Sequence, residues 1–223
     1  MATDDEIAQL RAQGLTPKAI AKRLGLRPAE VTTAIQRLAA AAPRAEQRFV
    51  GAWVSTHWTE GLGFDERVAH WKKYDVAPPL YSEGTGAVQV LLAREGRHGH
   101  VVVAGFLCDV WCTGVKNALG PKTMTPPEFE AYGLNFFRAH EGAGPIPLEV
   151  AQAIVLGSEA YARSLGLEPH PDFAKAKALL GADAPPPGIV FGNQGRPHYV
   201  PGMDDDSTAI RAALARWEAA EAS

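Results

Sequence analysis

An acid and two thiols interrupt the most hydrophobic part of this chain, Leu107-Cys108-Asp109-Val110-Trp111-Cys112. A carboxylate taken out of water must be paired, hydrogen-bonded or neutralised. Asp109 therefore either holds a packed network together or faces a cleft, where Lys116, His170 or His198 would be its partners and Cys112 a neighbour. Three chemistries fit these residue types. Cys108 and Cys112 are spaced to share a helical face and to ligate zinc, but a structural zinc site takes a second matched pair and these are the chain's two cysteines; a mixed site would draw on His57, His170 or His198. Cys112 beside a histidine base would be a nucleophile, whereas a free cysteine is by default a small packed hydrophobe. Asp109 with Asp204, Asp205 or Asp206 would hold Mg²⁺ or Mn²⁺, as a phosphodiester-cutting hydrolase requires. The chain has no Gly-x-Gly-x-x-Gly signature, Walker loop, His-Glu-x-x-His motif or Gly-x-Ser-x-Gly elbow.

The elements that must position these residues follow from hydrophobic pattern and turn chemistry. Two apolar runs, 88–93 and 101–106, flank a polar stretch carrying Gly96 and Gly99 and predict a β-hairpin. Val115 and Leu119, with a stop at Gly120-Pro121, predict a short helix after it, so Asp109 is expected where a strand end opens into a helix. Pro169 and Pro171 hold the backbone extended around His170, and Asp172 is expected to cap a helix over 173–180. Residues 49–54 read as a strand and 64–74 as a helix with Val68 and Trp71 one turn apart, ended by Pro78-Pro79. Thr125 is expected to cap a helix bearing Phe129, Tyr132 and Phe137, and 148–165 is the longest helix expected. The prolines of 184–187 predict a rigid polyproline-like passage. Runs 189–191 and 198–200 predict a second hairpin, and Ile210, Leu214 and Trp217 mark a final buried helix face.

At 223 residues the chain is long enough for one sizeable core plus a small module, and its 21% charged residues argue against disorder. No apolar run approaches a membrane span and the acidic start is unlike a secretory signal, so a soluble cytoplasmic protein with reduced cysteines and no membrane partner is expected. The charge is uneven. Residues 1–48 hold eight Lys or Arg against five acids, an excess of three, so the overall −3 leaves −6 on the remainder. Contact with a polyanion is therefore expected from the first segment.

That segment reads as three helices. Thr3 and Glu6 form a capping-box pair ahead of Ile7 and Leu10. Thr16-Pro17 opens a second helix carrying Ile20, Ala21 and Leu24 to a break at Gly25. Val31, Ile35 and Leu38 stripe a third that begins near Pro28. The stretch LTPKAIAKRLGLRPAEVTTAIQRL resembles the small helix-turn-helix DNA-binding domains of the sigma region 4 and LuxR type, over about the first 40 residues. What the resemblance implies is a third helix in the major groove, with Thr32, Thr33, Gln36 and Arg37 toward bases and Pro17, Lys18 and Arg27 near phosphates. The chain departs from it at Arg27, where a serine or threonine would cap the third helix better. Farther on, GFLCDVWCTGVKNALG and GLEPHPDF resemble an uncharacterised bacterial family that brings no activity with it.

The expected fold class is therefore α+β: a tri-helical helix-turn-helix module over 1–43, with a boundary at Pro43, then a mixed α+β body over 44–223 with a small antiparallel sheet. Three function classes stay open. One is a DNA-binding transcriptional regulator whose body senses a small-molecule ligand or mediates assembly; regulators of this kind commonly bind DNA as homodimers, although the sequence exposes no coiled coil to make one. Another is a metal-dependent hydrolase acting on DNA or RNA, and the third is a scaffold whose helices hold another protein.

Overall fold

The structure, a computed structural model, describes residues 4–41, 47–75, 84–140, 142–181 and 187–221, without the side chains of residues 5, 8, 12 and 36–41. The side chains of Gln36, Arg37 and Leu38, the Thr3 cap, the Pro43 boundary, the Pro78-Pro79 stop and residues 184–186 of the proline passage lie outside the described residues. The chain divides into two compact units, Met1–Glu46 and Gln47–Ser223.

Three helices pack together in the first unit: α1 (Asp4–Ala12), α2 (Pro17–Leu24) and α3 (Pro28–Ala41). Each boundary has a local cause. Thr16 accepts the Ala19 N–H at 3.2 Å and Pro17 occupies the first turn, where its missing N–H costs nothing. Gly25 ends α2 in the left-handed region at φ 67, and its N–H returns to the Ala21 carbonyl. Arg27, a poor capping residue by type, is served from inside α3, because the Glu30 carboxylate accepts its main-chain N–H at 2.9 Å. Ile7, Leu10, Ile20, Ala21, Val31 and Ala34 form the core of this unit.

The second unit is organised by a five-stranded antiparallel sheet, ordered β5-β4-β3-β1-β6. Its strands are β1 (Phe49–Ser55), β3 (Ala87–Glu95), β4 (Val101–Asp109), β5 (Gly114–Met124) and β6 (Ala143–Ile146), while β2 (Gly63–Phe64) lies outside it. Period-two alternation gives the sheet two different faces. On one, Val54, Val90, Leu92, Ala104, Phe106 and Val115 pack against the helix α5 (Leu148–Ser164) through Val150, Ile154 and Val155. Burying one such side chain as fully as Phe106 contributes on the order of 1.5–3 kcal/mol. On the other, Leu91, Val103 and Met124 meet the aromatics of α4 (Pro126–Phe136). The expected Thr125 cap is present as a reciprocal capping box with Glu128. The short α6 (Phe173–Ala176) runs on into a 3-10 turn, and α7 (Ser207–Glu221) places Ile210 beside Cys112 and Leu165.

The structure corrects four local expectations. Residues 114–124 are a strand, not a helix, because β4 and β5 pair directly from Asp109–Gly114 onward. The expected second hairpin is replaced by long-range pairing: β7 (Ile189–Val190) joins β2, and the N–H groups of Gly192 and His198 bond to the carbonyls of Val110 and Trp111 at 3.0 and 3.1 Å. The helix expected over 64–74 shortens to a 3-10 turn over Ala69–Tyr74, although Val68 and Trp71 are buried as their spacing requires. Asp172 makes no capping bond and pairs with Lys175 at 3.1 Å.

Gly114 meets two demands together. Its φ is +70, and a Cβ there would lie 2.6 Å from Ala162 Cβ and 2.7 Å from the Ser158 carbonyl on α5. Gly114→Ala is expected to lower stability by about 3 kcal/mol through strain and collision combined. Gly99→Ala, at φ +75 with no atom within 4 Å, should cost only about 1 kcal/mol. Urea unfolding midpoints of the two variants test the contrast; equal losses would show that close approach to α5 is not limiting.

Candidate functional site

Asp109 ends β4 with its carboxylate folded back onto the next turn. One oxygen accepts the N–H groups of Trp111 and Cys112 at 2.9 and 3.1 Å, and the other accepts the Thr113 N–H at 2.9 Å and hydroxyl at 2.8 Å. Burial pushes this carboxyl above its ordinary value, opposed by the Thr113 and Trp111 hydrogen bonds and the charge of Lys116. Its partners are thus four donors of its own turn. The histidines and Lys116 expected from the sequence make no hydrogen bond to it among the described residues.

The next strand places Lys116. Register along β4–β5 passes from Leu107–Asn117 to Cys108–Val115, so Lys116 is the extra residue of a β-bulge. A bulged residue leaves the ladder, and Lys116 Nζ reaches the Asp205 carboxylate at 2.8 Å, with the side chains 21% and 9% exposed. The same Asp205 oxygen accepts the Gly202 N–H at 2.8 Å. Burial opposes the charge on Asp205, yet the Lys116 ammonium and the Gly202 N–H together hold its carboxyl below the ordinary range. Because β5 is an edge strand, its outer carbonyls need partners. His170 supplies one, its N–H bonding the Val115 carbonyl at 2.9 Å. His170 Nδ1 accepts the Asp172 N–H at 3.2 Å, which leaves Nε2 to carry the proton of the neutral ring.

Lys116, His170 and residues 202–206 thus line one cleft of about 670 Å³, with Thr113, Asn117 and Glu168 on its walls. Of the sequence candidates, the fold brings Lys116 and His170 together there and sets Asp109 directly beneath, through Thr113. His198 is elsewhere: it is exposed, and its ring stands edge-on to Trp111 with centroids 5.6 Å apart. His57 lies in the loop after β1, its N–H held by Asp75 at 2.9 Å. Cys108 and Cys112 are both buried, and burial pushes each thiol up to about 12. Thiols buried and held neutral in this way pack as small hydrophobes. Among the described residues no group of three or more His, Cys, Asp or Glu is placed to hold a metal ion.

Protein-family models, curated proteins and solved structures were compared with the chain, and none matches. What the cleft can do follows from its own groups. Asp205 takes one of the three Lys116 donors, so a ligand oxygen can take another, and the Nε2–H of His170 supplies a second donor. With Glu168, Asp204, Asp205 and Asp206 also on its walls against the one lysine, the cleft repels anions and suits a small polar, uncharged or cationic molecule that offers a carbonyl or hydroxyl oxygen to Lys116 and His170. Asp205 was legible in the sequence only as one acid among three; its pairing with Lys116, 89 positions away, leaves no local signal.

The nucleic-acid candidates lie in the first unit. Thr32 and Thr33 are exposed on α3, beside the buried Val31 and Ala34. The Thr32 hydroxyl donates to the Pro28 carbonyl at 2.9 Å. Lys18 and Arg27 are exposed, and the Arg27 guanidinium pairs with Glu30 at 2.6 Å. Among the described residues no helix is long and apolar enough to cross a membrane.

Asp109→Asn turns one acceptor oxygen into a donor facing other donors. The variant is expected to lose about 2–4 kcal/mol of stability, read from urea unfolding, and the loss should be the same with and without added Mg²⁺ or Mn²⁺. A loss seen only in the presence of metal would make the ion, and not the turn, the partner of Asp109.

Proposed function

We propose that this protein is a DNA-binding regulator: its first unit contacts duplex DNA as a helix-turn-helix, and its α+β body binds a small polar effector in the Lys116–His170 cleft. The observation that carries the reading is the α2–α3 pair. Three residues, Gly25 to Arg27, join the two helices, and the α3 face away from the Val31–Ala34 core offers Thr32 and Thr33 to a partner. Lys18, Lys22, Arg23 and Arg27 are all exposed on α2 and the turn after it, where cations neutralise phosphates at either side of a groove. The Arg27–Glu30 pair does not remove Arg27 from this set. An exposed pair is screened by water and salt and holds its partners only weakly, so a phosphate can replace the carboxylate. The resemblance of residues 15–38 to sigma region 4 and LuxR domains points the same way, and it assigns Gln36 and Arg37 to base contacts.

Fluorescence anisotropy of the full-length chain with a mixed-sequence duplex tests the proposal. Association is expected at low salt, with the constant falling as salt rises because phosphate contacts release counterions. Lys18→Gln should reduce the salt slope by about one, and Arg37→Ala should weaken binding by about tenfold, both with unchanged unfolding curves. If the salt dependence appears with single-stranded RNA and not with duplex DNA, the target is RNA; if it appears with neither, the nucleic-acid reading is wrong.

A further inference from the structure

The sheet face under α4 carries a second, chemically different cleft, which the proposed function does not use. The helix has three aromatics yet buries none of its residues fully. It rests on two aromatic supports. Near its start, Phe129 meets Trp53 of β1 with ring centroids 5.5 Å apart. At its end, Phe136 occupies the space over Gly105, where a Cβ would lie 2.7 Å from the ring. Between the helix, the turn after it and the start of β6 is a cleft of about 640 Å³, with Trp53, Leu91, Phe129 and Phe137 among its walls. That volume falls within the roughly 300–1,000 Å³ of small-molecule sites, which are mostly apolar with a few placed polar groups.

Arg138 and His140 supply those groups. Among the described residues no carboxylate pairs with the exposed Arg138. Burial, and then the neighbouring His57, keep the His140 ring below its ordinary value, which favours its neutral form. Glu130, two helical turns before Arg138, also borders the cleft, so an anion is accepted at the Arg138 end alone. We infer that this cleft binds a small amphipathic carboxylate, its apolar body against Trp53, Leu91 and Phe137 and its carboxylate on Arg138. This inference stands apart from DNA binding and from the Lys116 cleft.

Decanoate and 2-naphthoate, titrated calorimetrically into the full-length protein with 1-decanol as the uncharged control, test it. Gly133 borders the cleft in a helical conformation, and a Cβ there meets only Leu91 Cδ2, at an ordinary 3.8 Å. Gly133→Leu should therefore fold, melt no lower than the wild type, and lose binding of either acid by at least tenfold. Arg138→Gln should weaken the acids by about tenfold and leave 1-decanol unchanged; at an exposed position it decides the matter even if Gly133→Leu does not fold. The inference is overturned if neither acid binds, if both variants bind like the wild type, or if sedimentation shows a dimer that Gly133→Leu disperses, which would seat a second copy in the cleft.

Discussion

One buried carboxylate, Asp109, sets the geometry on which much of the body depends. Its two oxygens take three successive N–H groups and a hydroxyl, and charge-assisted bonds of this kind contribute about 1.5–3 kcal/mol each against a desolvation cost of several. With the N–H groups of the turn directed inward, the carbonyls of Val110 and Trp111 are free to accept from Gly192 and His198. The turn thereby recruits the segment after β7, 80 or so positions on, through the requirement that buried backbone groups be paired. It also delivers the chain to Gly114, where contact with α5 leaves no room for a side chain.

The Lys116–Asp205 pair is the next consequence. An ion pair this far removed from water gains little net stability, since desolvation of both charges offsets most of their attraction. Its effect is on position. Asp205, bonded to Lys116 and to Gly202, ties the loop before α7 to the edge of the sheet, and the bulge makes the reach possible. In a regular ladder Lys116 would be paired with β4 and would point with the strand's alternation. The cleft therefore owes its cation to a local irregularity, and its histidine to the edge carbonyl of Val115 that needed a donor.

The same irregularity explains why the sequence misleads at this point. Val115 and Leu119 are four apart, a helical interval, and the stop at Gly120-Pro121 strengthens that reading. In the strand the core positions are Val115 and Ala118, and Leu119 is 46% exposed; the bulge turns a two-residue period into a three-residue one. Elements whose signals are local were legible: the β3–β4 hairpin from its glycine-bearing turn, α5 from its apolar stripe, α4 from the Thr125 cap. Lys116 and His170 were legible as polar residues in apolar or proline-stiffened surroundings. Pairing between distant segments was not, because β2–β7 and Lys116–Asp205 carry no mark on either partner alone. The Pro169–Pro171 brace was legible in part: it does hold His170, but Asp172 bonds through its N–H to the ring and not through its carboxylate to the helix.

The two faces of the sheet differ in how firmly they are covered, and the difference has a physical origin in α4 and α5. Helix α5 buries eight of its residues, many of them small, so it lies close along the strands and its release would expose a continuous apolar stripe. Helix α4 stands on bulky rings at two points, Phe129 on Trp53 and Phe136 over Gly105, and its Leu134 is 80% exposed. Rings that large hold a helix off a sheet unless the strand beneath recedes, and only Gly105 does so fully. The apolar area lost when α4 lifts is correspondingly small, and local opening free energies follow the contacts that must be broken. Of the two helix-covered faces, the one under α4 is therefore where the body opens at least cost, and the aromatic supports that leave space for a ligand are also what make the cover easy to displace.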